Sequence, residues 1–325
     1  MKIALVSPGG SFLGNFPKAK QFLDGYKDFM SKYNDGFSGP GLGLLILAAL
    51  TPPEYEVAFI DENVEPVDYG EDFDIVAISM MTRQAKRGFE IAKTFKSKGA
   101  HVVLGGIHPT VMYEESSKYA DTIIVGEGEY LWPQFLIDFK LGKAKKKYET
   151  NEVVDLKDSP IPRYDLLDAD KYRMFWVQTS RGCPHSCEFC AGSNIFGSAY
   201  RLKSISQVKN EIDFLMKLPR NANSRISFAD DNLFVNKKRA KELMHELRPL
   251  SIRWNAQADV SIADDIELLD DMRNAGCVAV IIGFESVRKN SLDKLNPHNW
   301  KFKKADKYAQ SVEIIQGRGI GIHGS

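Results

Sequence analysis

The sequence predicts an α/β protein. An N-terminal doubly wound parallel sheet is followed by a second series of strand–helix repeats. Three observations carry this reading. Short apolar runs rich in β-branched residues alternate with amphipathic helical runs along the 325 residues. A proline-bounded segment divides the series in two. Glycines, acids and cysteines collect just after predicted strands, where parallel sheets place their ligands.

In the first series, Lys2–Pro8 reads as a strand because Ile3, Leu5 and Val6 form a buried-type run ending at Pro8-Gly9-Gly10. A polar and aromatic loop then runs to about Pro40, long for a compact domain. Its Phe12, Phe16, Phe22, Tyr26, Phe29, Tyr33 and Phe37 suit an apolar entrance or, as we expect, packing at a domain interface. A small-residue helix is expected over Gly41–Leu50 and strands over Tyr55–Asp61 and Asp74–Met81. Arg83–Lys98 has Ala85, Phe89, Ala92 and Phe95 near helical spacing. Strands over His101–Gly106 and Asp121–Val125 and a helix over Glu129–Lys140 complete a domain of residues 1–141.

Residues 142–174 read as a linker. Lys143, Lys145, Lys146 and Lys147 make a solvated surface run, and Pro160 and Pro162 mark an interdomain connection. In residues 175–325, strands are expected at Phe175–Ser180, Arg225–Asp231, Ile252–Ala258, Val278–Phe284 and from Gly319. Helices are expected at Ser206–Leu218, Lys237–Leu247, Asp264–Ala275 and Trp300–Arg318.

Composition excludes several classes. There are 43 basic and 43 acidic residues, so charge makes no case for nucleic acid or an anionic membrane. No run reaches the ~18 apolar residues of a membrane span, and Met1–Pro8 does not fit a signal peptide. Four cysteines in a chain this long are no disulfide framework, and a reducing, cytoplasmic location is expected.

Three of those cysteines fall in Arg181-Gly182-Cys183-Pro184-His185-Ser186-Cys187-Glu188-Phe189-Cys190. Thiolates are the soft ligands of iron–sulfur clusters. Three of them leave one iron of a [4Fe-4S] cubane open, and an open metal site usually means chemistry. A structural zinc knuckle or buried free thiols are the alternatives. Zinc would need His185 as fourth ligand, and His185 lies awkwardly inside the first short gap.

Cys-x3-Cys-x2-Cys with an aromatic before the last cysteine resembles the radical S-adenosylmethionine enzymes. The resemblance implies that Cys183, Cys187 and Cys190 ligate the cluster, and that S-adenosyl-L-methionine chelates the open iron. It also implies reductive release of a 5′-deoxyadenosyl radical, with the Phe189 backbone beside the adenine. It places the cluster at the end of the first strand of a (β/α)6 barrel. Family barrels have six strands and this chain stops in the fifth, so the barrel is expected to be partial, truncated at the C-terminus. The second-strand acids Asp230 and Asp231 would take the amino group of S-adenosylmethionine, and Glu285 and Ser286 its ribose. Arg181 and Asn255 suit polar roles near the carboxylate. Helix capping is the plainer reading of these acids and serines. Cys277 reads as a small buried residue and His245 as structural, while His298 and His323 carry no assignment.

The N-terminal strand ends carry Ser79-Met80-Met81-Thr82, Gly105-Gly106-Ile107-His108-Pro109-Thr110 and Gly126-Glu127-Gly128-Glu129. Glycines there let a bulky ligand approach the backbone, and ordinary turn chemistry is the plainer alternative. Together these loops resemble the cobalamin-binding domain upstream of many radical S-adenosylmethionine enzymes. The resemblance implies cobalamin contacts from Ser79, Thr82, Gly105, Gly106, His108, Pro109, Thr110, Gly126, Glu127 and Gly128. The Asp-x-His-x-x-Gly motif that supplies a lower cobalt ligand in methionine-synthase-type domains is missing from Ser7–Phe12 and from Asp61-Glu62-Asn63. A cobalt without a protein histidine is therefore expected, with His108 touching the corrin edge or stabilising its loop.

The implied function is methylation of an unactivated carbon, with an electron donor such as flavodoxin or ferredoxin and an unidentified small-molecule or peptide substrate. Oxidative cyclisation of the anaerobic magnesium-protoporphyrin ester cyclase kind is the second enzymatic reading. A non-catalytic cobalamin or iron–sulfur sensor is the reading from another class. Methylthiolation is disfavoured because it needs a second cysteine group.

Overall fold

The computed structural model describes residues 1–10, 39–220, 224–296 and 299–325. The aromatic loop residues Phe12 to Phe37 and His298 lie outside them. The chain forms two compact units. The first comprises Met1–Val154, Asp158–Met174 and Leu218–Ser224; the second comprises Asp155–Lys157, Phe175–Lys217 and Arg225–Ser325. Among the described residues no helix is long and apolar enough to cross a membrane.

The first unit is built on a six-stranded sheet in the order β2-β1-β3-β4-β5-β6. Its strands are β1 (Lys2–Ser7), β2 (Glu56–Asp61), β3 (Ile75–Ser79), β4 (His101–Gly105), β5 (Thr122–Ile124) and β6 (Lys147–Tyr148), and every neighbouring pair is parallel. Side chains alternate across a strand, and both faces are buried. Ala4, Val6, Val76, Ile78, Val102 and Leu104 pack against Phe89, Ala92 and Phe95 of helix α2 (Ala85–Ser97). Ile3, Leu5, Ile75, Ala77, Val103 and Ile124 pack on the opposite face. Their partners are Leu44 and Ala48 of α1 (Leu42–Ala49) and Trp132, Phe135 and Leu136 of α5 (Leu131–Lys140). Two short helices, α3 (Ile107–Val111) and α4 (Tyr113–Ser116), follow β4. Strand order reverses between β1 and β3, which makes their carboxyl ends a topological switch point.

The lysine run holds a surprise. Lys147 is exposed, but Tyr148 is 4% exposed and packs edge-on to Phe135, so the run ends as the edge strand β6. Two residues with one side chain inward are too short for periodicity to register.

The second unit contains a five-stranded sheet in the order β13-β12-β11-β10-β7, which follows the chain without reversal. The strands are β7 (Met174–Val177), β10 (Arg225–Phe228), β11 (Trp254–Ala258), β12 (Cys277–Ile282) and β13 (Gly321–Gly324). Helices α7 (Ile205–Lys217), α8 (Lys237–Leu247), α9 (Ile266–Asn274) and α11 (Tyr308–Gln316) separate them. Sequential order is how repeated βα units wind in a barrel. Cys277 is fully buried at the start of β12, as expected of a small core residue, and burial pushes its thiol far up.

Three local features differ from expectation. The first strand of this unit ends at Val177, and Ser180–Arg181 (β8) pairs antiparallel with Arg201–Leu202 (β9). A short helix α6 (Ala191–Phe196) follows the last cysteine of the motif. The helix expected over Trp300–Arg318 is broken into α10 (Trp300–Lys304), a 3-10 turn at Ala305–Lys307, and α11.

Gly106 joins β4 to α3 with φ +88°, and a Cβ there would lie 2.7 Å from Ser79 Oγ and 2.9 Å from Met80 N. Gly99 has φ +91° with nothing within 4 Å of such a Cβ. Gly99→Ala should therefore cost only the backbone strain, roughly 1 kcal/mol. Gly106→Ala should cost at least about 2 kcal/mol more, read as a lower melting temperature. Equal losses would mean that the β3–β4 contact is not tight.

Candidate functional site

The carboxyl edge of the first sheet is stitched together by backbone bonds. Met80 N donates to Gly105 O at 3.1 Å and His108 N to Met80 O at 3.0 Å. Thr110 Oγ1 donates to Gly106 O at 2.8 Å and accepts from Gly126 N at 3.0 Å. Ser79, Gly105, Gly106, His108, Pro109, Thr110 and Gly126 are thereby brought to one edge. Thr82 joins them through His108, whose Nδ1 lies 3.4 Å from Thr82 Oγ1. The His108 ring is buried, with Nε2 3.5 Å from Glu115 Oε2 in an arrangement that makes no hydrogen bond. Met81, Val111 and Met112 are 49%, 53% and 46% exposed on the loops after β3 and β4, an apolar rim that the sequence reading passed over for Val111 and Met112.

Two further residues assigned to this edge, Glu127 and Gly128, also make local contacts. Glu127 Oε2 accepts from Val154 N at 3.3 Å. A Cβ on Gly128 would lie 3.2 Å from Leu47 Cδ2, a tight contact, and the Gly128 carbonyl accepts from Trp132 N at 2.8 Å to start α5.

At the switch point, the Gly9-Gly10 turn is clamped from three sides. Glu62 Oε2 accepts from Gly9 N at 2.8 Å, Asn63 Oδ1 from Gly10 N at 3.3 Å, and Gln84 Nε2 donates to Pro8 O at 2.6 Å. Burial would push the Glu62 carboxyl up, but the Arg87 guanidinium and the Gly9 amide outweigh it and hold it below the usual range. A depressed carboxyl gives stability that is present above its unfolded pKa and lost as pH falls through the folded value. Glu62→Gln should therefore flatten the acid limb of the melting temperature below about pH 4.5. An unchanged acid limb would show that the clamp carries no linkage.

The cysteine loop of the second unit leaves the sheet because of one side chain. Asp230 is fully buried, and its carboxylate accepts from Thr179 N at 2.7 Å, Thr179 Oγ1 at 2.5 Å and Ser180 N at 3.0 Å. Those bonds turn the chain out of β7 and into β8. Arg239, itself buried, donates to Lys203 O at 2.8 Å and Thr179 O at 3.3 Å, and Lys203 pairs with Glu211 at 2.7 Å with both partners buried. Asp230 thus corrects the expectation that it faces S-adenosylmethionine, since its acceptor positions are spent on the loop it supports. Asp231, the next residue, points the other way. It accepts from Gly182 N at 3.2 Å, and a Cβ on Gly192 would sit 2.7 Å from its Oδ1 and 3.6 Å from Cys190 Sγ.

Cys183, Cys187 and Cys190 lie in a loop where Cys190 N donates to Cys187 O at 3.0 Å. Burial pushes the Cys183 thiol up to about 11, and the charges of Asp231, Cys187 and Cys190 add to it. Burial raises Cys187 as well, opposed by the Lys301 ammonium. Buried thiols that resist ionisation, as Cys183 and Cys187 do, make poor nucleophiles but fit a cationic cluster, which compensates the charge when they deprotonate. Among the described residues no three His, Cys, Asp or Glu side chains converge on one metal-ion position. A tetrahedral zinc would want thiolates about 3.8 Å apart, given Zn–S bonds of ~2.3 Å. A cubane asks for a wider triangle, one thiolate per iron. His185 Nε2 is engaged by Asp259 Oδ2 at 3.3 Å, and Asp259 also accepts from Asn232 Nδ2 at 2.7 Å.

Around this loop stand the other expected residues. Phe189 is 49% exposed. Glu285 holds the left-handed conformation at φ +64°, and its Oε1 accepts from Lys301 Nζ at 2.8 Å. Ser286 Oγ accepts from Arg288 N at 3.0 Å. Arg181 is buried and donates to Gln178 Oε1 at 2.9 Å. Asn255 Oδ1, on β11, is buried without a hydrogen-bond partner among the described residues, an acceptor open to a ligand N–H. Lys301 was missed in the sequence. It is 5% exposed, also donates to Gly283 O at 2.5 Å, and lies 5.6 Å from the Phe189 ring. It sits in a run of lysines, so only the fold singles it out.

Removing the Asp230 carboxylate strands three buried donors. Asp230→Ala should cost about 3 kcal/mol or more, a fall of roughly 6–12 °C in melting temperature. Asp231→Ala should cost under about 1 kcal/mol. Comparable losses for the two would refute the division of labour between them.

Comparison with known proteins identifies two domains in the chain. Residues 34–136 match the B12 binding domain model and residues 177–324 the Radical SAM superfamily model. The chain is similar to bacteriochlorophyllide d C-8(2)-methyltransferase of Chlorobaculum tepidum, 30% identical over 87% of this chain and 65% of the relative. It is also 30% identical to an uncharacterized methyltransferase of Pyrococcus horikoshii, over 89% of this chain and 68% of the relative. Several curated relatives are longer, and the chain spans 53% to 65% of the first three. The solved structure of the radical S-adenosylmethionine methyltransferase TsrM from Kitasatospora setae, with cobalamin and [4Fe-4S] cluster bound, shares the fold. It superposes with a TM-score of 0.72 at 16% identity, over 99% of this chain and 66% of that one. With both domain models matched in order and a relative of this identity and coverage, the chain belongs to the cobalamin-binding radical S-adenosylmethionine enzymes.

Proposed function

We propose that this protein is a cobalamin-dependent radical S-adenosylmethionine methyltransferase acting on an unactivated carbon. The observation that carries the reading is the loop of Cys183, Cys187 and Cys190 at a strand end, flanked by Asp231, on a chain whose other sheet presents a glycine-lined edge. When bound, the cluster supplies one electron to cleave the sulfonium of S-adenosylmethionine, and cobalamin supplies a carried methyl group.

In this reading Cys183, Cys187 and Cys190 hold three irons. The fourth takes the amino and carboxylate groups of S-adenosylmethionine. Asp231 and the open acceptor of Asn255 suit N–H groups of that ligand. Ser286 and the free oxygen of Glu285 suit its ribose, with Glu285 fixed by Lys301. The Phe189 backbone lies by the adenine. In the first unit, Ser79, Thr82, Gly105, Gly106, His108, Pro109, Thr110 and Gly126 line the cobalamin edge, and the exposed Met81, Val111 and Met112 cover apolar parts of the corrin. An oxygen-sensitive cluster suits a reducing cytoplasm and a reduced flavodoxin or ferredoxin as donor.

The test is anaerobic purification with iron, sulfide and cobalt assays, followed by dithionite and S-adenosylmethionine. The proposal expects about four irons and one cobalt per chain and release of 5′-deoxyadenosine. Cys187→Ala should lose the iron and at least ~10²-fold of that release while keeping the cobalt. Iron without cobalt, even after cobalamin is supplied, would remove methyl transfer through cobalt. Zinc without iron would sink the reading.

A further inference from the structure

The whole chain is electrically balanced, but residues 288–307 are not. Seven of them are Lys or Arg and two are Asp, a net charge of +5. The described residues of this stretch, 288–296 and 299–307, fold against the cysteine loop. Leu295 O accepts from Glu188 N at 3.1 Å, the Trp300 ring centroid lies 4.9 Å from that of His185, and Lys301 reaches the Phe189 ring. The stretch is tied together internally, since Lys289 pairs with Asp306 and lies 4.8 Å over the Phe302 ring.

Its cations divide into two sets. Lys301, Lys304 and Lys289 are paired with Glu285, Asp264 and Asp306. Arg288, Lys294, Lys303 and Lys307 are exposed and make no ion pair with a described residue. Exposed acids nearby are Glu188 and Asp293. Val287, beside Arg288, is 95% exposed, an apolar point on a cationic surface.

The reading of this loop as a cluster site requires an electron from outside, and electron transfer weakens steeply with distance. A donor must therefore dock over the loop that holds the cysteines. We infer that residues 288–296 and 299–307 form the docking surface for an acidic one-electron carrier protein. This rests on the proposed function. One electron leaves the carrier and reduces the cluster by one electron, with no bond made and no proton moved. Charge complementarity of this kind acts chiefly on encounter, which makes it salt-dependent.

The experiment uses the full chain, with Arg288→Glu/Lys303→Glu/Lys307→Glu as the reversed variant and Lys303→Gln/Lys307→Gln as a milder one. Titration of the cofactor-free chain with flavodoxin reads binding. Stopped-flow mixing of the reconstituted chain with reduced flavodoxin reads cluster reduction against ionic strength. The reversed variant should bind and accept electrons at least ~10-fold more weakly at low salt and lose the salt dependence, with the milder variant between. Reduction by dithionite should be unchanged in both. Should the reversed variant misfold by circular dichroism, the milder one and the wild-type salt slope decide. Unchanged flavodoxin binding and slope in a folded variant, or binding of anionic vesicles or duplex DNA in place of flavodoxin, would overturn the inference. A wild-type chain that binds flavodoxin in the charge-dependent way but takes up no iron would sink the proposed function while leaving the acidic-partner surface standing.

Discussion

A single buried carboxylate shapes the second unit around its cysteines. Asp230 sits at the end of β10 with no solvent contact, and it takes the two amides and the hydroxyl offered by Thr179 and Ser180. A buried ion without such bonds would be far too costly to keep. With them, it bends the chain away from the sheet just before Gly182, at φ +87°, where a Cβ would collide with Ala199 O at 2.3 Å. The cysteine loop begins there. Burial still pushes the Asp230 carboxyl up, and the buried guanidinium of Arg239 donates to the same Thr179 hydroxyl that Asp230 holds. The loop is anchored by charge inside the protein, and its cysteines are left to face what they bind.

Adjacent residues at a strand end point to opposite faces, and this decides what could be read in advance. The pair Asp230-Asp231 was legible as two acids at the end of a strand. Which one turns inward depends on the register of β10 against its neighbours, and that is a long-range property. The same holds for Lys301. In sequence it is one of several lysines, but the break between α10 and α11 turns it into the sheet end while Lys303 stays exposed. The cysteine motif was legible because it is local, with all three cysteines within eight residues.

The first unit was the more legible of the two. Its strands are buried on both faces, so each is a continuous apolar run with sharp ends, and its helices have one apolar stripe each. Even so, the glycine-rich ends divide by cause. Gly106 is required by its φ of +88° and the close approach of Ser79 and Met80, whereas Gly128 meets only a tight contact with the Leu47 side chain. Gly126 has φ +88° with open space where a Cβ would be, so its conformation, and not its surroundings, calls for glycine. A glycine motif reports a constraint on the backbone, and only the coordinates tell which constraint it is.

The electrostatics of the cysteine loop follow from these placements. Burial and the charges of Asp231, Cys187 and Cys190 raise the cost of ionising Cys183, and burial raises it at Cys187. The counter-charges within the unit are few and specific. Lys301 lowers the cost at Cys187, and Arg181 favours the charged form of Asp231. Lys301 is itself held by Glu285 and Gly283 O, so its charge is partly spent. Most of the compensation must then come from the cationic cluster the cysteines would hold, because metal binding is what makes the thiolates affordable. Fixed positive charge near a cluster also favours its reduced state, since reduction potential depends on net local charge. Under the proposed function, the buried Lys301 and the basic stretch it belongs to would act in one direction at two ranges, stabilising an added electron at close range and attracting an acidic carrier from a distance.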